Sequence, residues 1–156
     1  MLNRMLNLFG SPEPTGPQEI VRAFTPSDRP IDATLMVPAE AGWQITATEP
    51  RTVHLFEISE PDSEQCQLAF RAMLRGAHLT KRAYLELWCR FPGRGEYFSK
   101  GLYQALIGTT GWISCETPFY LKRHQRPDLL RLNLVLEGTG SVWIKNIEVW
   151  KTPLNI

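Results

Sequence analysis

Eight side chains carry the strongest prospects for chemistry in this sequence: Arg71, Tyr84, Glu86, Trp88, Arg90, Glu116, Arg131 and Asn133. Each lies in a short β-rich run, at the parity opposite to the apolar residues, so all are expected to point away from the core. Aromatic rings offer an apolar face to sugar C–H groups, while carboxylates, guanidinium groups and amides satisfy hydroxyls. Trp88 or Tyr84 with Glu86, Arg90 and Asn133 can therefore form a carbohydrate cleft. The same types can instead pair among themselves, with Arg71, Glu86 and Arg131 forming cross-strand salt bridges on a solvated or loop-covered sheet.

Other chemistries find less support. Glu86 and Glu116 could serve as the two carboxylates of a glycosidase. Neither sits in a distinctive motif, and nearby arginines would hold a carboxylate pKa down rather than up. His54, His78 and His124 are far apart in sequence, and no serine or cysteine occupies an elbow motif. Cys89 beside Arg90 has the neighbour of an activated thiol but the parity of a core residue. Basic clusters at 75–82, "RGAHLTKR", and 122–126, "KRHQR", are loop-like and could share one end of the molecule. With Tyr120 nearby they could attract an acidic polymer or phosphate, although solvated loops are the commoner outcome. "FPGRGEYFSKG", 91–101, has glycine spacing too weak for a phosphate loop and reads as a hairpin.

The elements that must position these residues are strands. Short alternating or β-rich runs fall near 18–24, 31–37, 43–48, 51–58, 65–74, 82–91, 95–99, 112–120, 128–137 and 141–150, with turn residues between them. That spacing means an antiparallel sandwich or barrel rather than βαβ units. The inward sets are Cys66, Leu68, Phe70, Ala72 and Leu74; Ala83, Leu85, Leu87, Cys89 and Phe91; Ile113, Cys115, Thr117 and Phe119; and Leu130, Leu132, Leu134 and Leu136. In "EGTGSVWIKNIEVW", 137–150, the parity changes: Val142 and Ile144 are followed by Ile147 and Val149. An extra residue at Lys145 or Asn146, a β-bulge, would return both pairs to one core. A strand buried on both faces is the simpler alternative.

"YLELWCRF", "GTTGW" and "GTGSVWIKNIEVW" together resemble the C-terminal half of bacterial jelly-roll domains of the galactose-binding-like, carbohydrate-binding-module-like group. The likeness rests on Leu87, Trp88 and Arg90, on Gly108 through Trp112, and on Gly138 through Ile144, and it covers roughly residues 65–150. It implies an all-β, antiparallel two-sheet jelly-roll sandwich. If the relevant strands share one sheet, as that fold implies, the eight polar side chains form one band across its outward surface. Calcium-containing relatives often carry an acidic pair in the closing strand, where this chain has Ile144, Lys145 and Asn146. Structural calcium is therefore disfavoured, and no cofactor is expected.

With 156 residues and 43% hydrophobic composition, the chain has room for one domain. Residues 1–17 read as an N-terminal amphipathic helix, with Leu2, Met5, Leu6 and Phe9 on one face, followed by a Pro/Gly-rich linker; 18–156 form the sandwich. Seventeen basic against sixteen acidic side chains leave no broad field for nucleic acid. Polar interruptions rule residues 1–10 out as a signal peptide or transmembrane segment, and cytoplasmic residence is the default. Cys66, Cys89 and Cys115 lack CxxC spacing and are expected as buried free thiols. The favoured reading is a non-catalytic domain binding a carbohydrate or similar polar ligand on one sheet face or at a loop end. A protein-interaction module that docks on a partner or a second copy through residues 2–9 is the alternative. A small glycoside hydrolase built on Glu86 and Glu116 is the third.

Overall fold

Alternating strands bury one face each, so two sheets must close over a shared core. The computed structural model describes residues 13–155, and the helix expected at residues 2–9 lies outside the described residues. In chain order the strands are β1 Glu13–Pro14, β2 Glu19–Phe24, β3 Val37–Ala39, β4 Gly42–Ala47, β5 Arg51–Ser59 and β6 Cys66–Ala77. They continue with β7 Leu79–Phe91, β8 Gly95–Lys100, β9 Leu106–Gly108, β10 Ile113–Leu121, β11 Leu129–Leu136 and β12 Gly140–Asn155. Short 3-10 turns occupy Ala33–Leu35 and Leu102–Gln104.

The fold is an all-β, antiparallel two-sheet jelly-roll sandwich. The first sheet runs β10-β6-β12-β4-β3, with β2 and β1 also paired to β12; the second runs β5-β11-β7-β8, with β9 beside β7. Leu68, Phe70 and Leu74 of β6 and Val142 and Ile144 of β12 share one core with Leu85 and Leu87 of β7 and Leu130, Leu132 and Leu134 of β11. Burying each such side chain stabilises the fold by about 1.5–3 kcal/mol. All three cysteines are buried and free.

The parity change in the last strand is a bulge. Against β6 the register passes from Lys145↔Met73 to Glu148↔Arg71, three residues on one strand for two on the other. Asn146 absorbs the extra residue at φ 54°, a left-handed conformation that asparagine tolerates better than most side chains. Val142, Ile144, Ile147 and Val149 are consequently all fully buried. Their outward neighbours Trp143, Lys145, Glu148 and Trp150 are half-buried, so the strand is not buried on both faces. At the bulge β12 also changes partner, from β4 at Ile144↔Trp43 to β2 at Ile147↔Phe24. Gly42 packs there so closely that an added Cβ would lie 2.0 Å from the Ile144 carbonyl oxygen.

Three local expectations need correction. The alternation at 31–37 does not become a strand until Val37, because the segment instead hangs on the edge of β5. Ile31 and Asp32 donate their backbone N–H groups to the carbonyls of Leu55 and His54, and the Asp32 carboxylate accepts from the His54 N–H at 2.8 Å. Part of the expected linker is paired, since Glu13 and Pro14 face Asn155 and Leu154 of β12. Ile113, assigned inward by parity, is exposed at the start of β10.

Candidate functional site

The eight candidate residues do not form one band. Tyr84, Glu86, Trp88 and Arg90 lie on β7 and Arg131 and Asn133 on β11 of the second sheet, whereas Arg71 and Glu116 lie on β6 and β10 of the first. Period two fixes which face a residue occupies but not which sheet it joins. Arg71 is engaged where it stands: Nε donates to Glu116 at 3.2 Å, Nη1 donates to Gln18 at 3.0 Å, and the guanidinium lies 5.7 Å from the Trp150 ring. Arg90 makes a two-pronged pair with Asp128 at 2.9 and 3.1 Å, and the guanidinium holds that carboxyl below its ordinary range.

On the outer face of the second sheet, cross-strand register brings Asn133 opposite Glu86 on one side and His54 on the other, while Arg131 stands between Trp88 and Glu57. Trp88 donates its indole N–H to Glu86 Oε1 at 2.7 Å, and Asn133 donates Nδ2–H to the same oxygen at 3.0 Å. Asn133 Oδ1 in turn lies 3.1 Å from His54 Nδ1. Glu86 and Asn133 are only 7% and 4% exposed, so the parity-outward face is covered at its centre. Tyr84, at 4%, is buried as well. Trp88 stays half-buried, its ring 4.8 Å from that of Phe98 on β8.

These residues line a shallow, solvent-open cavity of about 360 Å³, in which Thr52, His54 and Glu96 join Glu86, Trp88, Arg131 and Asn133. A second hollow of about 230 Å³ abuts it, sharing His54, Arg131 and Asn133 and reaching Ile31 and Phe56. The two make a furrow across β7, β11 and β5. Arg131 crosses its floor with Nε 3.2 Å from Glu57 and 3.4 Å from Glu96, yet that buried nitrogen has no well-aligned hydrogen bond.

Of the expected set, Glu86, Trp88, Arg131 and Asn133 thus converge on one cavity; Tyr84 and Arg90 share their strand but do not line it. Glu96 of β8 was missed, as were Thr52 and Glu57 of β5, and His54 of that strand was weighed only as a catalytic base. The signal of the β5 residues was present in "RTVHLFEIS", where Thr52 and His54 alternate with Val53 and Leu55. The consecutive apolar residues Leu55 and Phe56 then break the alternation before Glu57, and the strand absorbs this as a register shift, from Leu132↔Phe56 to Asn133↔His54.

The rival chemistries separate in space. Glu86 and Glu116 sit on the outer faces of opposite sheets with the core between them, which removes them as a glycosidase pair. His54 lies on β5, His78 in the β6–β7 turn and His124 in the β10–β11 loop. Cys89 is fully buried, and burial pushes its thiol up, away from the thiolate a nucleophile needs. The basic clusters lie at opposite ends of the sandwich: Leu121 pairs with Cys66 at one end of β6, and at the other the 75–82 cluster is not a loop but the adjoining ends of β6 and β7, which pass from one sheet to the other at His78. Among the described residues no three His, Cys, Asp or Glu side chains gather as metal ligands. Lys145 lies with its ammonium 4.1 Å from the Trp112 ring centroid. Among the described residues no helix is long and apolar enough to cross a membrane.

No protein-family model and no curated protein matches the sequence. Solved structures are similar in fold. A CBM4 structure matches with a TM-score of 0.53 and 9% identity, over 83% of this chain and 77% of that one. The CBM22-1 xylan-binding domain of Paenibacillus barcinonensis Xyn10C matches with a TM-score of 0.50 and 8% identity, over 87% and 96%. Family 16 Carbohydrate Binding Module-2 matches with a TM-score of 0.50 and 10% identity, over 73% and 82%. The chain is similar to carbohydrate-binding modules in its sandwich, and at these identities the likeness is one of fold.

Proposed function

We propose that this protein is a non-catalytic binding domain that takes a carbohydrate across the outer face of its second sheet. The observation that carries this reading is the buried Glu86 carboxylate, which fixes Trp88 and Asn133 together in an open furrow. A carboxylate with both donors on Oε1 keeps Oε2 for a ligand hydroxyl. The indole, held by its N–H, offers its face to sugar C–H groups. Arg131, His54 and Thr52 supply further polar partners along the furrow. Binding sites of this kind gain from preorganisation, because side chains already locked by hydrogen bonds lose little freedom when the ligand arrives.

Xylo-oligosaccharides are the first probes to try, given the xylan-binding domain of similar fold, followed by a wider glycan array. Trp88→Ala is expected to abolish binding while leaving the fold intact. Full affinity in that variant would remove the furrow as the site.

A second reading draws on a different observation. Phe98, Leu102, Tyr103 and Ile107 expose apolar surface along the β8–β9 edge, which suits a protein partner. Light scattering of the chain with and without residues 1–10 tests the docking role expected of the N-terminal segment; an unchanged profile counts against it.

A further inference from the structure

A further cavity lies away from the furrow, at the end of the sandwich where the β7–β8 hairpin meets the β10–β11 loop. It measures about 490 Å³. Phe91 and Phe119, one from each sheet, close off the core beneath it, and Tyr97 and Tyr120 stand at its rim, 54% and 48% exposed. Its cationic lining comes from Arg94, Lys122 and Arg126.

Those cations are not equivalent. Arg126 is paired with Asp62 and lies 3.9 Å from Glu64. No ion pair among the described residues includes Arg94 or Lys122. Both loops are nonetheless fixed. The Arg94 N–H bonds the Phe91 carbonyl at 2.9 Å, closing the hairpin through Gly93 at φ 73°. In the other loop the Lys122 N–H donates to the Gln125 side chain at 2.8 Å, and the His124 N–H donates to Glu64 at 2.9 Å. The carboxylates near this end are thus occupied in holding the loop and Arg126, while two cations face a hollow rimmed by aromatic rings.

We propose that this cavity binds a ring-bearing anion, a carboxylated or phosphorylated ring whose charge meets Arg94 and Lys122 and whose flat or apolar face lies against Tyr97 and Tyr120. Rings of tyrosine stack on sugar and base faces alike, so an acidic saccharide and a nucleotide present the same chemistry here. The site is separate from the furrow and does not depend on it.

The test is calorimetric titration of the full chain with digalacturonic acid, with AMP, with neutral galactobiose and with inorganic phosphate. One of the two ring-bearing anions is expected to bind at least about tenfold more tightly than either the neutral sugar or phosphate alone. Which of them does so identifies the source of the anion. Affinity is expected to fall as salt rises from about 50 to about 500 mM, because exposed charges are screened. The Arg94→Ala/Lys122→Ala double variant, altered only at exposed loop positions, is expected to lose about tenfold or more, and Lys122→Glu alone gives the same direction in a second background. Trp88→Ala is expected to leave this binding unchanged. No binding by either ring-bearing anion, phosphate binding as tightly as both, or full affinity in the double variant would overturn the proposal. Loss of binding in Trp88→Ala would overturn its placement.

Discussion

Replacing Glu86 by alanine isolates the interaction on which the furrow depends. The substitution removes the acceptor shared by Trp88 Nε1 and Asn133 Nδ2. Trp88 is half-buried and can turn to water, but Asn133 is almost wholly buried, so its amide loses a partner that solvent replaces poorly. An unsatisfied buried donor costs about 1–3 kcal/mol, and the lost methylene burial adds about 0.8 kcal/mol. Release of a desolvated carboxylate offsets part of this. The net expectation is about 2 kcal/mol of lost stability, read from urea denaturation as a lower midpoint with an unchanged slope. A double-mutant cycle with Asn133→Ala should return a coupling of about 1.5 kcal/mol, as befits a hydrogen bond to a charged group. Coupling below about 0.3 kcal/mol would refute the reasoning, since the carboxylate would then not be holding the amide.

Other consequences follow from particular contacts. Gly42→Ala drives a Cβ against the Ile144 carbonyl beside the bulge, so it should cost about 2 kcal/mol or more in thermal or urea unfolding; a neutral result would mean the bulge yields freely. Burial pushes the Cys66 and Cys115 thiols up to about 11 from an ordinary 9.0. Their contribution to stability is therefore complete below pH 9.0 and lost as pH rises through the folded values. No thiol should react with Ellman's reagent at about pH 8 until the protein is unfolded; a fast equivalent in the native state would contradict this. At the acid end, Asp128 and Glu137 are held low by hydrogen bonds from Arg90 and Arg82. Their stabilisation is present above the unfolded values of 3.8 and 4.5 and disappears as pH falls through the lower folded ones. The melting temperature should accordingly drop less steeply below about pH 5 in an Asp128→Asn/Glu137→Gln variant than in the parent, and parallel curves would count against the two pairs.

Much of the sandwich was legible because a period of two leaves its mark wherever one face is buried. The apolar sets of β6, β7 and β11 fall inward as expected, and the bulge announced itself by two apolar pairs of opposite parity around Lys145 and Asn146. Legibility failed where alternation had another cause. Ile31, Ala33, Leu35 and Val37 alternate, but Asp32 and the backbone of residues 31 and 32 bond the edge of β5, so most of that run never enters a ladder of its own. The candidate site was legible by halves. Alternation singled out Glu86, Trp88, Arg131 and Asn133, yet it could not separate them from Arg71 and Glu116 on the other sheet. Nor could it show that Tyr84, nominally outward, is covered. His54 was readable by parity but was weighed only as a catalytic base, and its role emerges from a cross-strand register that sequence alone does not contain.

The most direct measurement is the affinity of the intact chain and of Trp88→Ala for xylo-oligosaccharides and for the hits of a glycan array, with melting curves recorded on both. A sugar that binds the parent, raises its melting temperature and loses at least about tenfold in affinity to the variant is the expected result. A sugar that binds both proteins equally would contradict the assignment of the Glu86–Trp88–Asn133 furrow as the binding face, and the absence of any sugar ligand would contradict the carbohydrate reading itself.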